Sequence, residues 1–161
     1  MSWSATDEAA DSANFMAIRQ AVVRAGALMA AAGTGAYRVK EEMNRVGHAL
    51  GLDDVHAEVT LNTVIATCSH QGQSYTLVGT IPAISVNAGR IAAMEALALN
   101  TRPGTSVTVF ERQLDAIAAQ PPAYGPELTS IAAMIACGSF CFLNHGGWGE
   151  CLAAAGGAGL G

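Results

Sequence analysis

The side chains able to do covalent or acid–base chemistry are few and scattered. The chain holds 4 histidines and 4 cysteines. His48, His56, His70 and His145 lie far apart and lack a spacing such as HxxxH, so no metal ligand set is expected. Cys68, Cys137, Cys141 and Cys151 form no CxxC pair and no disulfide framework, which fits a reducing compartment. Cys137 and Cys141 share one helical face and read as small apolar packing residues. Cys68 and His70 are i and i+2 on an extended segment, so they point the same way. A thiol hydrolase built on them would need a third group to orient the histidine, and the sequence offers none. The pairs Glu41/Glu42 and Asp53/Asp54 read as solvated surface charges. No G-x-S-x-G elbow, GxxxxGK[ST] loop or G-x-G-x-x-G turn is present. Gly33-Thr34-Gly35 falls between two helical patterns and reads as a stop and restart. No catalytic residue, metal or cofactor is therefore expected. Arg38 stands apart. It follows Tyr37 at the start of a helix, with Glu41 and Glu42 at i+3 and i+4. A surface ion pair there would be worth little. The functional alternative is contact with an anion or carboxylate near a membrane entrance.

Positioning these residues falls to a mixed set of elements. Asp11 or Ser12 can cap a first helix in which Phe15, Ile18, Val22, Ala25 and Met29 recur at helical spacing, with Arg19 and Arg24 off that stripe. Gly33 closes it in a left-handed conformation. A second helix restarts at Thr34 or Gly35, carries Val39, Met43, Val46 and Leu50 on one face, and ends at Gly51. The short connection predicts an antiparallel helical hairpin. Val55–Asn62 alternates Val55, Ala57, Val59 and Leu61 against His56, Glu58, Thr60 and Asn62, the signature of a half-buried strand. Thr63–Ser69 is rich in β-branched residues, and Ser74–Ile81 follows the turn signal Gln71-Gly72-Gln73. Short connections make these three strands an antiparallel meander. A third helix over Asn87–Leu99 turns Ile91, Met94 and Leu97 inward, with Arg90 opposed. A fourth over Ser106–Gln120 carries Phe110, Leu114 and Ile117, and Pro121-Pro122 stops it. The predicted class is α+β, with one sheet face covered by helices.

The chain has 161 residues, 51% of them hydrophobic and 13% charged, with a net charge of −5. Ordinary soluble domains carry about 25% charged residues. This balance excludes intrinsic disorder. Without a basic run it gives no footprint for nucleic acid, and 6% aromatics argues against a base-stacking platform. The mean hydropathy of +0.31 has a local source: after Glu127 the only charged residue is Glu150. Leu128–Asn144 carries no charge and, as a helix, spans about 26 Å, the low edge of a bilayer core. Ala132, Ala133, Ala136, Gly138 and Ser139 are the small residues that let membrane helices approach, and Trp148 suits a membrane interface. A second apolar run, Cys151–Gly161, is too short to span, which predicts a membrane domain truncated at this point. Met1–Ser12 is acidic and polar and reads as a frayed tail, not a targeting sequence. Pro121–Pro126 is the expected linker. The predicted division is an α+β domain over residues 1–125 and the start of a transmembrane helical domain over 126–161. Arg102 and Arg112 precede the first span and no basic residue follows it, which places the first domain in the cytoplasm.

The order of motifs resembles the N-terminal part of the ThrE-type threonine/serine exporter family, with its YjjP-like half-transporters. The residues that carry the resemblance are Gly26-x-Leu28, Gly33-x-x-x-Tyr37-Arg38-Val39, Glu42-Met43, Leu50-Gly51, and Val59-Thr60-Leu61 in the strand that starts at Val55. The helix Ile91–Leu99, Pro121-Pro122-x-Tyr124 and Gly146-Gly147-Trp148 follow in order. Together they cover residues 14–161. Two departures stand out. The family usually has an acidic residue just before Tyr-Arg-Val, where this chain has Gly35-Ala36. Its third strand usually carries arginines, and Tyr75–Thr80 has none. The resemblance implies an inner-membrane secondary exporter of small amino acids (threonine or serine) or related carboxylates. It implies a second membrane half as partner, fused or separate, and is compatible with a homo-oligomer; it implies no nucleic acid. Tyr37, Arg38, Glu42 and Thr60 become candidates for substrate or partner contact, and Trp148 for the membrane interface. The competing expectations are a stand-alone soluble α+β binding or regulatory module whose C-terminal helix is buried, and an enzyme using Cys68 or the acidic pairs.

Overall fold

Residues Ala5–Ala31 form one long helix, α1. It starts well before the expected cap at Asp11 or Ser12. The Ala-rich run Ala5–Asn14 has high helix propensity, and its acidic residues favour a helix N-terminus. The computed structural model describes residues 5–121 and 124–160. Met1–Ser4 of the expected tail, Pro122 and Ala123 of the expected linker, and Gly161 lie outside the described residues. Apolar residues occupy every side of α1, not one stripe: Ala21, Val22, Val23, Ala25, Ala27, Met29 and Ala30 are all buried. Such a helix belongs in the middle of a structure. At its end the Gly33 N–H donates to the Ala30 carbonyl and the Thr34 N–H to the Met29 carbonyl. Gly33 has φ +93°. This is a Schellman stop, which needs a left-handed residue.

Helix α2, Ala36–Leu50, then runs back along α1. Its predicted stripe of Val39, Met43, Val46 and Leu50 is buried. A Cβ on Gly26 would collide with the Met43 thioether, so the glycine sets how closely the two helices approach. Strands β1 (Asp54–Val59), β2 (Thr63–His70) and β3 (Gln73–Thr80) form the antiparallel meander β1-β2-β3. The register pairs Val55 with Cys68 and Cys68 with Tyr75. Gln71 (φ 48°) and Gly72 (φ 77°) make the β2–β3 turn, the two-residue form whose twist matches the strands.

One strand boundary differs from expectation. The alternating pattern runs on to Asn62, yet β1 stops at Val59. The Thr60 N–H donates to the Thr63 carbonyl at 2.8 Å. The Thr63 N–H in turn donates to the Thr60 hydroxyl at 3.0 Å. The chain therefore reverses, and Leu61, expected inward, is 81% exposed.

Helices α3 (Ala88–Asn100) and α4 (Val107–Ala118) pack on the other side of α1, and α3 also touches α2. Asn87 caps α3 by accepting from the Arg90 N–H at 3.0 Å. Arg90 donates to the Ala118 and Gln120 carbonyls at the end of α4, a favourable place for a cation. Met94, Leu97, Phe110, Leu114 and Ile117 are buried as the periodicity predicts, whereas Ile91, also expected inward, is only half-buried at the start of α3. The order of layers is thus sheet, α1 with α2, and α3 with α4.

The chain divides into two compact units, Met1–Pro121 and Pro122–Gly161. The second unit is an antiparallel hairpin of α5 (Pro126–Leu143) and α6 (Trp148–Leu160). Gly159 lets α6 come close: a Cβ there would collide with the Met134 side chain of α5. Helix α5 has no buried residue, which is not the pattern of a core helix.

Phe110 is 1% exposed at the α4 side of the core. Phe110→Ala should lower the free energy of unfolding of the first unit by about 3–5 kcal/mol. Leu143→Ala, at an exposed α5 position, should leave that transition unchanged. Urea denaturation of the full chain in mild detergent, followed by circular dichroism, checks both. An unshifted midpoint for Phe110→Ala would contradict the core described.

Candidate functional site

The residues singled out by the sequence do not converge on one site. Tyr37, in the first turn of α2, is 80% exposed. Arg38 beside it reaches Glu95 on α3 at 2.5 Å, an ion pair without hydrogen-bond geometry. Its expected partners are taken by Arg45, one turn further along α2. Arg45 Nη1 donates to both Glu42 carboxylate oxygens at 2.8 and 3.0 Å. Its Nη2 reaches Glu41 at 3.5 Å. Glu42 is therefore not a solvated surface charge: it is buried, its charge answered by one guanidinium nitrogen that bonds both carboxylate oxygens. It borders a closed gap of about 10 Å³ with Met43, Met94 and Phe110, too small for a ligand.

Thr60 sits in the β1–β2 turn, its hydroxyl bonded within the turn to Thr63. Lys40 on α2 pairs with Glu58 on β1 at 2.8 Å, tying the helix to the strand that ends beside Thr60. Among the described residues no hydrogen bond or ion pair joins any two of Tyr37, Arg38, Glu42 and Thr60. The Lys40 ammonium holds the Glu58 carboxyl below its ordinary 4.5.

A larger concavity lies elsewhere in the first unit. Helix α1 and the β2–β3 hairpin enclose a cavity of about 330 Å³ bordered by Asp11, Ser12, Phe15, Arg19, Cys68, His70, Gln73 and Tyr75. Arg19, expected off the apolar stripe, is only 5% exposed. Its Nε donates to the Phe15 carbonyl at 3.0 Å, and its guanidinium lies 4.0 Å over the Tyr75 ring. Cys68 and His70 do share a face, as their spacing requires. They do not form a catalytic pair. The His70 ring stacks on Phe15 with centroids 3.6 Å apart, and both ring nitrogens are buried without a partner. Burial pushes the Cys68 thiol up, only partly offset by Arg19, so the reactive thiolate is disfavoured. Sequence reasoning missed Arg19 because it followed one stripe of α1. The signal was available: Ala21, Val23, Ala27 and Ala30 lie between the stripe positions and are equally apolar. Among the described residues no three His, Cys, Asp or Glu side chains converge as a metal site.

The second unit presents the opposite surface. Helix α5 has 18 residues with a mean hydropathy of 1.5, a length of about 27 Å. It is long and apolar enough to cross a bilayer. Ile135, Phe140, Phe142, Leu143 and Leu152 are exposed along the hairpin. Trp148 opens α6, 80% exposed, with its ring 6.2 Å from that of Phe142. The Glu150 carboxylate accepts from the Gly147 N–H at 2.9 Å, capping α6 at its start.

Comparison with known proteins gives a family. The model described as ThrE, "Putative threonine/serine exporter", matches residues 20–161. A curated protein of Escherichia coli (strain K12), "Probable succinate transporter subunit YjjP", is 24% identical over 133 residues, 82% of this chain and 51% of that protein. The chain thus spans about half the length of this relative. No solved structure matches.

The Lys40–Glu58 contact makes a pH prediction. A carboxyl held down in the folded state stabilises the fold above its unfolded value. That contribution is lost as pH falls through the lower folded value. The Glu58 titration midpoint, read by carbon NMR of the side-chain carboxyl, should lie below 4.5. Lys40→Met should move it up toward that value. An unchanged midpoint in Lys40→Met would mean the pair does not form.

Proposed function

This chain belongs to the ThrE threonine/serine exporter family, and from that premise we propose that it forms the N-terminal part of an inner-membrane secondary exporter of small amino acids or related carboxylates. The observation that carries this is the α5–α6 hairpin, an apolar hairpin with no residue of α5 buried, lying inside the matched range 20–161. Such a surface is a liability in water and the required exterior in a bilayer, where a helix satisfies its own backbone. The family's description names threonine and serine, and the relative's name gives succinate. A carboxylate is common to all three.

In this proposal residues 1–125 form the cytoplasmic domain and 126–161 begin the membrane domain. The positions of Arg102 and Arg112 before α5 support that orientation. Secondary transporters place their sites between helices near the midplane, so a second membrane half, fused or separate, completes the pathway. The word "subunit" in the relative's name supports a separate one. Trp148 lies at the membrane interface. Tyr37 and Arg38, both accessible on α2, contact the partner or substrate. Glu42 and Thr60 serve that surface indirectly, Glu42 by fixing Arg45 and Thr60 by fixing the β1–β2 turn.

Two experiments test this. Expressed in a bacterial cell, the full chain should fractionate with membranes and resist alkaline extraction, while a version ending at Gly125 should be soluble and folded. A soluble full chain that unfolds without residues 126–161 would overturn the membrane assignment and favour the stand-alone module. Co-expressed with a second membrane half, the chain should support efflux of labelled threonine, serine or succinate. Tyr37→Ala with Arg38→Ala should lower that efflux at least tenfold without lowering the amount of protein in the membrane. Unchanged efflux would remove these two residues from the contact.

A further inference from the structure

The geometry points to a binding site for a small monocarboxylate in the first unit, in the cavity between α1 and the β2–β3 hairpin, with Arg19 holding the carboxylate. A guanidinium removed from water is costly unless a counter-charge or hydrogen bonds replace its hydration. Arg19 is 5% exposed, and its terminal nitrogens are not among the buried atoms without a partner. Its Nε is bonded to the Phe15 carbonyl and its flat face covers Tyr75. Among the described residues no carboxylate pairs with it, although five ion pairs are formed elsewhere. The terminal nitrogens of an arginine form a rigid fork that matches a carboxylate in two-point contact.

The same cavity wall holds a group without a partner. Both ring nitrogens of His70 are buried and unbonded. Gln73 borders the cavity as well. Its carbonyl oxygen accepts from the Tyr75 hydroxyl at 2.8 Å, which leaves its amide N–H groups to donate. Among the described residues the cavity thus presents the Arg19 guanidinium and the Gln73 amide as donors, with the Asp11 carboxylate as an acceptor. Asp11 at the rim adds a negative charge that opposes multiply charged anions and tolerates a single carboxylate, including that of an amino acid. A volume of about 330 Å³ accommodates a molecule of that size. The raised Cys68 thiol is a neutral part of the wall.

The site belongs to the first unit alone and does not depend on the export proposal; only the choice of one probe does. The test is isothermal titration calorimetry on the full chain in detergent with L-lactate and L-threonine. Lactamide and threoninamide, which lack the carboxylate charge, and inorganic phosphate are the comparisons. At least one carboxylate should bind with a Kd in the millimolar range or tighter, and its amide at least tenfold more weakly. Arg19→Gln should weaken binding at least tenfold. Because that substitution touches a buried position, Ser12→Trp provides the second arm: it fills the cavity mouth from an exposed helix position and should block binding with Arg19 in place. Binding of neither carboxylate, amides equal to their carboxylates, phosphate equal to the carboxylates, or affinity unchanged in Ser12→Trp would each overturn the site. Loss of efflux with carboxylate binding intact would count against the export proposal and leave this one standing.

Discussion

The first unit depends on the burial of α1 from two directions. The sheet covers one side of this helix and α3 with α4 the other, with α2 alongside. Burial on both sides explains its composition. Ala21, Ala25, Ala27 and Ala30 keep its surface thin enough for neighbours to approach, as Gly26 does beneath Met43. It also explains the separate fates of its arginines. Arg24 points toward α4 and pairs with Asp115 at 2.5 Å in a half-exposed position. Arg19 lies on the sheet side, where it is met by the Phe15 carbonyl and the Tyr75 ring and by no carboxylate of the described residues. Two positions on one helix, with the same side chain, become a weak surface pair and a buried cation.

This arrangement also sets what periodicity could reveal. Helices α2 and α4 each bury a single face, and their stripes appear in the sequence at the positions the structure buries. Helix α1 buries two, so a one-stripe reading misplaced Arg19. The meander was legible because its strands are separated by connections too short for a crossover. The end of β1 was not, because Leu61 continues the period of two. What stops the strand is the reciprocal bonding of Thr60 and Thr63, a local capture that competes with the ladder. Arg38 illustrates a third limit. Sequence spacing shows partners on the same helix, whereas Glu95 comes from α3. Once Arg45 has taken both Glu41 and Glu42, the neighbour from another element is the one left to pair with Arg38.

Apolar content alone does not separate the two units; where the apolar atoms end up does. In the first unit they meet one another in layers around α1. In the second, α5 and α6 meet at small residues, with Gly138 opposite Ala155 and Gly159 beneath Met134, and turn larger side chains outward. Close approach through small residues is how helices associate where lipid removes the hydrophobic drive between them. The charges follow the same logic. Glu127 and Glu150 sit in the first turns of α5 and α6, at helix ends where a carboxylate is favourable and away from the middle of either helix.

Cys68 and His70 show why residue type and spacing are weaker evidence for catalysis than environment. Their placement on one face of β2 follows from the strand itself. Nucleophilic chemistry would also need a thiolate and an imidazole within hydrogen-bond reach of each other and of solvent. The packing that completes the sheet side of α1 does the reverse. It covers the thiol, stacks the imidazole on Phe15, and brings a buried cation to the same wall. A buried guanidinium beside a suppressed nucleophile suits this wall to holding an anion rather than to nucleophilic chemistry.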